Sequence, residues 1–170
     1  ISLFKKISIP LSIPALLGTA VSLLLAFRTA QSYERWWEAR TVWGAIVNDS
    51  RSFIRLVRQF VPELPEESRV FTERQIVWVY ALGEALRKQV FSDKVKNYLQ
   101  SHNITGTNIP NAILDKHSEH IRKIAAEGRI SDFKEGQLNE VLMRLCDSIG
   151  YCKLLEIQYF QELTVSCFIH

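Results

Sequence analysis

The 170 residues are 47% hydrophobic and 23% charged, the average of one apolar segment and a long polar remainder. Seven glycines and five prolines leave little room for the many turns of an all-β protein. A net charge of +3, with no basic cluster interleaved with base-stacking aromatics, argues against nucleic acid as a partner.

The first element is an uncharged, mostly apolar run from Ile7 to Phe27, bounded by Lys5 and Lys6 before it and Arg28 after it. A run of about 20 apolar residues crosses a bilayer core. A secretory signal peptide shares the basic start, but it has a shorter apolar stretch and a small-residue cleavage site, and here Arg28 and a tryptophan pair follow instead. Pro10 and Pro14 break the start of the run, and Gly18, Ala20, Ser22 and Ala26 interrupt its leucines. Small residues at helical spacing let helices pack closely in lipid. Thr19, Leu23 and Phe27 recur at intervals of four and share one helix face. Two readings of that stripe stand side by side: ordinary helix packing, or, if several copies surround an axis, stacked rings that gate ions by dewetting.

The apolar run leads into FRTAQSYERWWEARTVWGAIVNDSR, residues 27 to 51. Trp, Tyr and Arg settle at the polar boundary of a bilayer. Tyr33, Trp36, Trp37 and Trp43 are therefore expected to brace a membrane exit. Arg35, Glu38 and Arg40 are expected to form intersubunit or interhelical ion pairs rather than to bind ions directly.

Beyond the exit the periodicity predicts helices. Phe53, Leu56, Val57 and Phe60 form an apolar stripe, with Arg51, Arg55 and Arg58 beside it, and Pro62 ends that helix. PELPEES reads as a loop, followed by a helix from about Glu67 to Val90 with Val77, Trp78, Ala81, Leu82 and Ala85 buried. SHNITGTNIP is a further loop, and Pro110 suits the first turn of the next helix. That helix carries Ile113, His117, Ile121 and Ile124 in one stripe and stops at Gly128, a C-terminal cap. Ser131 can cap a last helix from Asp132 to about Ile149, with Leu138, Val141, Leu142 and Leu145 inward.

Chemical motifs are scarce, and no glycine-rich phosphate loop, nucleophile elbow or paired-carboxylate site supports an enzyme. His117 and His120, with Asp115 and Glu119 nearby, offer a weak metal site. The neighbouring Lys116, Arg122 and Lys123 repel a cation, so a solvated helix face is the expected reading, with no metal and no cofactor. Cys146 and Cys152 match no zinc spacing, and all three cysteines read as reduced thiols. The sequon at Asn103 is expected to lie in the cytoplasm and so to go unused.

The phrase carried by Phe27, Arg28, Ser32, Tyr33, Arg35, Trp36, Trp37, Glu38, Ala39, Arg40, Trp43, Gly44, Val47, Asn48, Ser50 and Arg51 resembles the most recognisable segment of the bestrophin ion channels, in particular their prokaryotic branch. The resemblance continues more weakly through residues 74 to 89, EGRI and QLNEVL, to about Cys152. It implies an all-α fold in which a membrane helix continues into a cytosolic helical bundle, as part of a homopentameric channel for small monovalent ions. By family that means chloride or other anions, with cation conduction in some prokaryotic members. It also implies an apolar neck at Thr19, Leu23 and Phe27, where Thr19 replaces the bulkier apolar residue common in the family. The partners implied are further copies of the chain, membrane lipid and the permeant ions, in the cell membrane with the helical body cytoplasmic.

Complete members of the family carry four membrane helices, so the chain reads as a fragment lacking the first and last. The expected organisation is 1–51 as pore helix and exit, 52–152 as cytosolic helices, and 153–170 as an anomalous tail. Read two bases later, the codons for residues 153 to 169 permit a spelling that contains the Asn-Thr-x-x-Pro-x-x-Tyr-Ser of the family. The hypothesis is a frameshift near Cys152, and coding DNA whose codons forbid that spelling would sink it. Two other classes predict different behaviour. A single-pass anchored scaffold or signalling protein conducts no ions and forms no ring, and a soluble bundle with one very apolar core helix is extracted without detergent.

Overall fold

The computed structural model describes the backbone of residues 12–62 and 65–168 and the side chains of that range up to residue 155. Five helices fill it: α1 (Ser12–Phe60), α2 (Pro65–Leu86), α3 (Asp93–Ser101), α4 (Ile109–Ala126) and α5 (Asp132–Phe168). No strand occurs among the described residues, so the all-α expectation holds. The chain divides into two compact units, Ile1–Glu38 and Ala39–His170. The start of the apolar run, with Lys5, Lys6 and Pro10, lies outside the described residues, whereas Pro14 sits in the first turn of α1, where its missing N–H has no helical partner to lose.

Within the second unit α2 is the central element, packing on α3, α4 and α5. Its buried side chains, among them Phe71, Val77, Trp78, Ala81 and Leu82, recur at three- and four-residue intervals. Ala85 is only half-buried, near the end of the helix. From α1 the core receives Ile46, Phe53, Val57 and Phe60. The expected stripes on α4 (Ile113, His117, Ile121, Ile124) and α5 (Leu138, Val141, Leu142, Leu145) are all buried. Removing such surface from water is the dominant favourable contribution to the bundle.

Polar ties fix the register between helices. Arg74, 7% exposed, donates from Nε to the Tyr98 hydroxyl (3.2 Å) and from Nη1 to the Lys116 carbonyl (2.9 Å), joining α2 to α3 and α4. Arg144 on α5 donates to Asp49 of α1 at 3.0 Å. At the end of α4 the chain turns through Gly128, whose φ of 71° is a left-handed conformation suited to glycine. Its N–H reaches the Ala125 carbonyl at 2.8 Å, and the next N–H, from Arg129, reaches Ile124 at 3.1 Å, which closes the helix as the sequence predicts.

Three boundaries and one whole helix differ from the expectation. The PELPEES stretch is helical from Pro65, because Pro65 fits a first turn and Glu66 and Glu67 favour the positive end of the helix dipole. At its other end α2 stops at Leu86, short of Val90, where Lys88 takes a left-handed φ of 52°. The nine-residue α3 was not expected at all; it buries Val95 and half-buries Tyr98 and Leu99. Finally, α5 continues past Ile149 through Gly150 to Phe168. The side chains of the tail beyond Leu155 lie outside the described residues.

Candidate functional site

The first unit supplies the apolar half of α1, a helix with an 18-residue window apolar enough to cross a membrane, none of it buried in the chain itself. Leucine and phenylalanine at this exposure are costly in water: Leu23 is 56% exposed and Phe27 60%. Thr19, also exposed, lies two four-residue steps before Phe27 on one helix face, so the three expected neck residues form a continuous stripe. The helix satisfies its own hydroxyls, since Thr19 Oγ1 donates to the Ala15 carbonyl at 2.9 Å, Thr29 to Leu25 at 2.9 Å and Ser32 to Arg28 at 3.0 Å. Such back-bonding leaves few unsatisfied polar groups along this apolar stretch.

After the apolar stretch, Tyr33, Trp36 and Trp37 form a ring cluster with centroids 5.8 to 6.5 Å apart. The Arg35 guanidinium donates to the Ser32 hydroxyl at 3.4 Å, within the same helix. In the second unit, Trp43 lies along α2, where a Cβ added at Gly83 would meet the edge of its indole ring at 4.0 Å. Glu38 and Arg40 are both exposed on α1. The aromatic cluster thus lies on one stretch of one helix.

The histidine pair proves different from the solvated face expected of it. His117 is 0% exposed, with the Phe53 ring edge-on at 4.9 Å and the Phe71 ring stacked at 5.5 Å. Neither of its ring nitrogens has a hydrogen-bond partner. Burial, and next the nearby Arg74 charge, push its pKa well below the ordinary 6.5, so the ring is neutral. His120 is half-buried, stacked on the Phe71 ring at 4.4 Å, with its Nε2 2.6 Å from Glu67 Oε2. Its Nδ1 faces Arg74 Nη1 at 3.5 Å, which fits the neutral tautomer with the proton on Nε2. Its pKa is lowered by burial and by Arg74, against the opposing pull of Glu67. Glu67 also meets Arg129 at 3.5 Å, while Glu119 is taken by Lys116 at 2.7 Å.

No group of three or more His, Cys, Asp or Glu side chains able to hold a metal occurs among the described residues, and Arg74 sits where a cation would be repelled. Phe71, Arg74 and Glu67, which organise this cluster, were not singled out by sequence; the helical spacing of Phe71, Arg74 and Trp78 was the available signal. Cys146 and Cys152 are free thiols, the former donating to Asn111 Oδ1 at 3.4 Å and the latter pushed up in pKa by burial. Cys167 lies outside the described side chains.

A long helix with an exposed apolar half, an aromatic- and arginine-rich stretch after it and a packed helical bundle make up a chain that is all-helical among the described residues, with one segment apolar enough to cross a membrane. The chain belongs to the bacterial/fungal bestrophin family, whose model matches residues 2–157. It is 30% identical over 143 residues to the voltage-dependent anion channel-forming protein YneE of Escherichia coli K12, covering 82% of this chain and 47% of that protein. A second relative, the voltage-dependent anion channel-forming protein RSc3414 of Ralstonia nicotianae, is 31% identical over 149 residues with the same coverage, 82% and 47%. The chain thus spans about half the length of the curated relatives it matches. Among solved structures, a point mutant of a bacterial bestrophin homologue from Klebsiella pneumoniae superposes with a TM-score of 0.81 at 26% identity, over 89% of this chain and 58% of that one.

Proposed function

We propose that this chain is the pore-helix and cytosolic part of an anion-channel subunit, which passes small monovalent ions passively across the cell membrane. The observation that carries the reading is the exposed apolar half of α1 in a chain of the bestrophin family, because relatives matched along the same stretch are named as anion channel-forming proteins. In this reading α1 crosses the bilayer, five copies surround an axis, and Thr19, Leu23 and Phe27 form the neck. Apolar rings gate ions by dewetting a narrow passage. Tyr33, Trp36, Trp37 and Trp43 anchor the helix at the bilayer boundary, Arg35, Glu38 and Arg40 pair between helices or subunits, and the bundle is cytoplasmic. No step of this function needs a cofactor.

The test is flux through liposomes carrying the full-length gene product, with chloride, sodium and potassium compared. Chloride flux that dissipates an imposed gradient is the expected result. Flux of sodium or potassium without chloride would reverse the sign of the selectivity, and no flux of any ion would leave the anchored-scaffold reading in its place.

A further inference from the structure

A cleft of about 500 Å³ opens between the second half of α1 and α2, within the helical bundle. One wall carries Arg51, Arg55 and Arg58, all exposed, and the floor is apolar, formed by Ile54, Ile76 and Val79. Positions four and three apart on a helix are neighbours, and like charges so placed destabilise it. Several other basic side chains of the bundle meet carboxylates: Arg69 meets Glu66 and Glu73, Lys116 meets Glu119, and Arg144 meets Asp49 and Glu140. Among the described residues no carboxylate meets any of the three cleft arginines. A solvated basic stripe explains the exposure, but not why the three share one wall of a cavity with an apolar floor.

A second observation concerns the edge of that cleft. Gln75, 3% exposed, lines it and donates through Nε2 to the Ser50 hydroxyl at 2.9 Å, while its Oε1 is buried with no partner. That oxygen is shut off from the open space of the cleft, so the amide braces the cleft's edge through Ser50 and the arginines supply its charge. Guanidinium groups are the preferred partners of phosphate oxygens, which accept two parallel hydrogen bonds from one arginine. Three positive charges suit a dianionic phosphate monoester better than a single carboxylate. The volume lies in the range of small-molecule pockets.

We propose that this cleft binds a soluble phosphate monoester with an apolar group, its phosphate held by Arg51, Arg55 and Arg58 and its apolar part lying on Ile54, Ile76 and Val79. The three arginines lie well beyond Phe27 in sequence, outside the apolar run, which favours a soluble ester over a lipid headgroup. The inference does not rest on ion conduction, and its test reads binding rather than flux.

The probe is phenyl phosphate, titrated into the full-length protein in detergent while thermal unfolding of its helices is followed. A saturable rise in the midpoint is expected, with the affinity weakened about tenfold in R51Q/R55Q by loss of two charge-assisted contacts. The second variant, Ile76→Ala, removes floor at an exposed position; it should weaken phenyl phosphate and leave the response to inorganic phosphate unchanged. Four results overturn the proposal: no shift with phenyl phosphate, an equal shift with inorganic phosphate, a shift seen only with phosphatidic acid micelles, or variants that bind as the wild type does. A second copy already filling the cleft in the assembled protein would give the first of these.

Discussion

His117 is the residue whose environment is least expected from its chemistry: a titratable ring, fully buried, with two unpartnered nitrogens between Phe53 and Phe71. Its pKa is lowered in the fold, so the unfolded chain binds the proton more readily. The stability that the neutral ring contributes is therefore complete above the unfolded value of about 6.5 and is lost as pH falls below it. The loss approaches about 1.4 kcal/mol per pH unit for one such group. His120 adds to it in the same direction, from the same lowered pKa. Chemical denaturation of the detergent-solubilised protein between pH 5 and 8 should show stability falling on the acid side, and His117→Leu should reduce that slope and change stability at pH 8 by no more than about 1 kcal/mol. A slope unchanged by the substitution would assign the acid sensitivity elsewhere. The proposed neck makes a second prediction at this scale. Leu23→Ala with Phe27→Ala widens an apolar ring, so ion flux should rise, whereas truncation at an ordinary packing face costs roughly 2 to 5 kcal/mol per residue and lowers assembly. An assembled double variant with unchanged flux would mean that the stripe does not face the pore.

Among the elements, those with a long apolar stripe were legible and those set by local capping were not. Both α4 and α5 repeat their buried residues over several turns, and those positions are buried as their spacing predicts. By contrast α3 is nine residues long with one fully buried side chain, Val95, too short a stripe to separate from a loop. The start of α2 depends on Pro65, which reads equally well as a turn residue or as a helix N-terminus. His117 was placed correctly on the apolar stripe by its spacing, yet its chemical type suggested a solvated face; the spacing was the better guide because burial depends on where a side chain lies on the helix. Gly128 offers the corresponding test of a cap. Open space surrounds the position where a Cβ would sit, so Gly128→Ala carries only the backbone cost of a left-handed alanine. Unfolding should show a loss of about 1 kcal/mol, and a loss several times larger would reveal a packing role for the turn.

For the whole molecule the central fact is the contrast between its two units, one with a buried core and one with its leucines outward. Exposed large apolar side chains, including Leu16, Leu24, Leu25 and Phe27, run through the first unit. A surface of this kind requires lipid, detergent or other helices. The native mass of the intact protein in detergent should be that of a pentamer, and a monomer or dimer as the main species would count heavily against a ring. The apolar run and the arginine–tryptophan phrase made the membrane and family assignment readable from sequence. The partners of that run were not, because helix packing in lipid is chosen by small shape differences among residues such as Gly18, Ala20 and Ser22.

The hydroxyl of Thr19 has a consequence for which anions would cross. Its single hydrogen is taken up by the Ala15 carbonyl, so in the neck proposed above it has none to offer a passing anion, and Leu23 and Phe27 have none at all. A neck so lined replaces none of an ion's hydration shell, and the barrier then follows how tightly each ion holds its water. Weakly hydrated thiocyanate and iodide should pass more easily than chloride, and chloride more easily than fluoride. Reversal potentials under paired-anion gradients would show that order; an inverted one would mean that some other group in the passage donates hydrogen bonds to the ion.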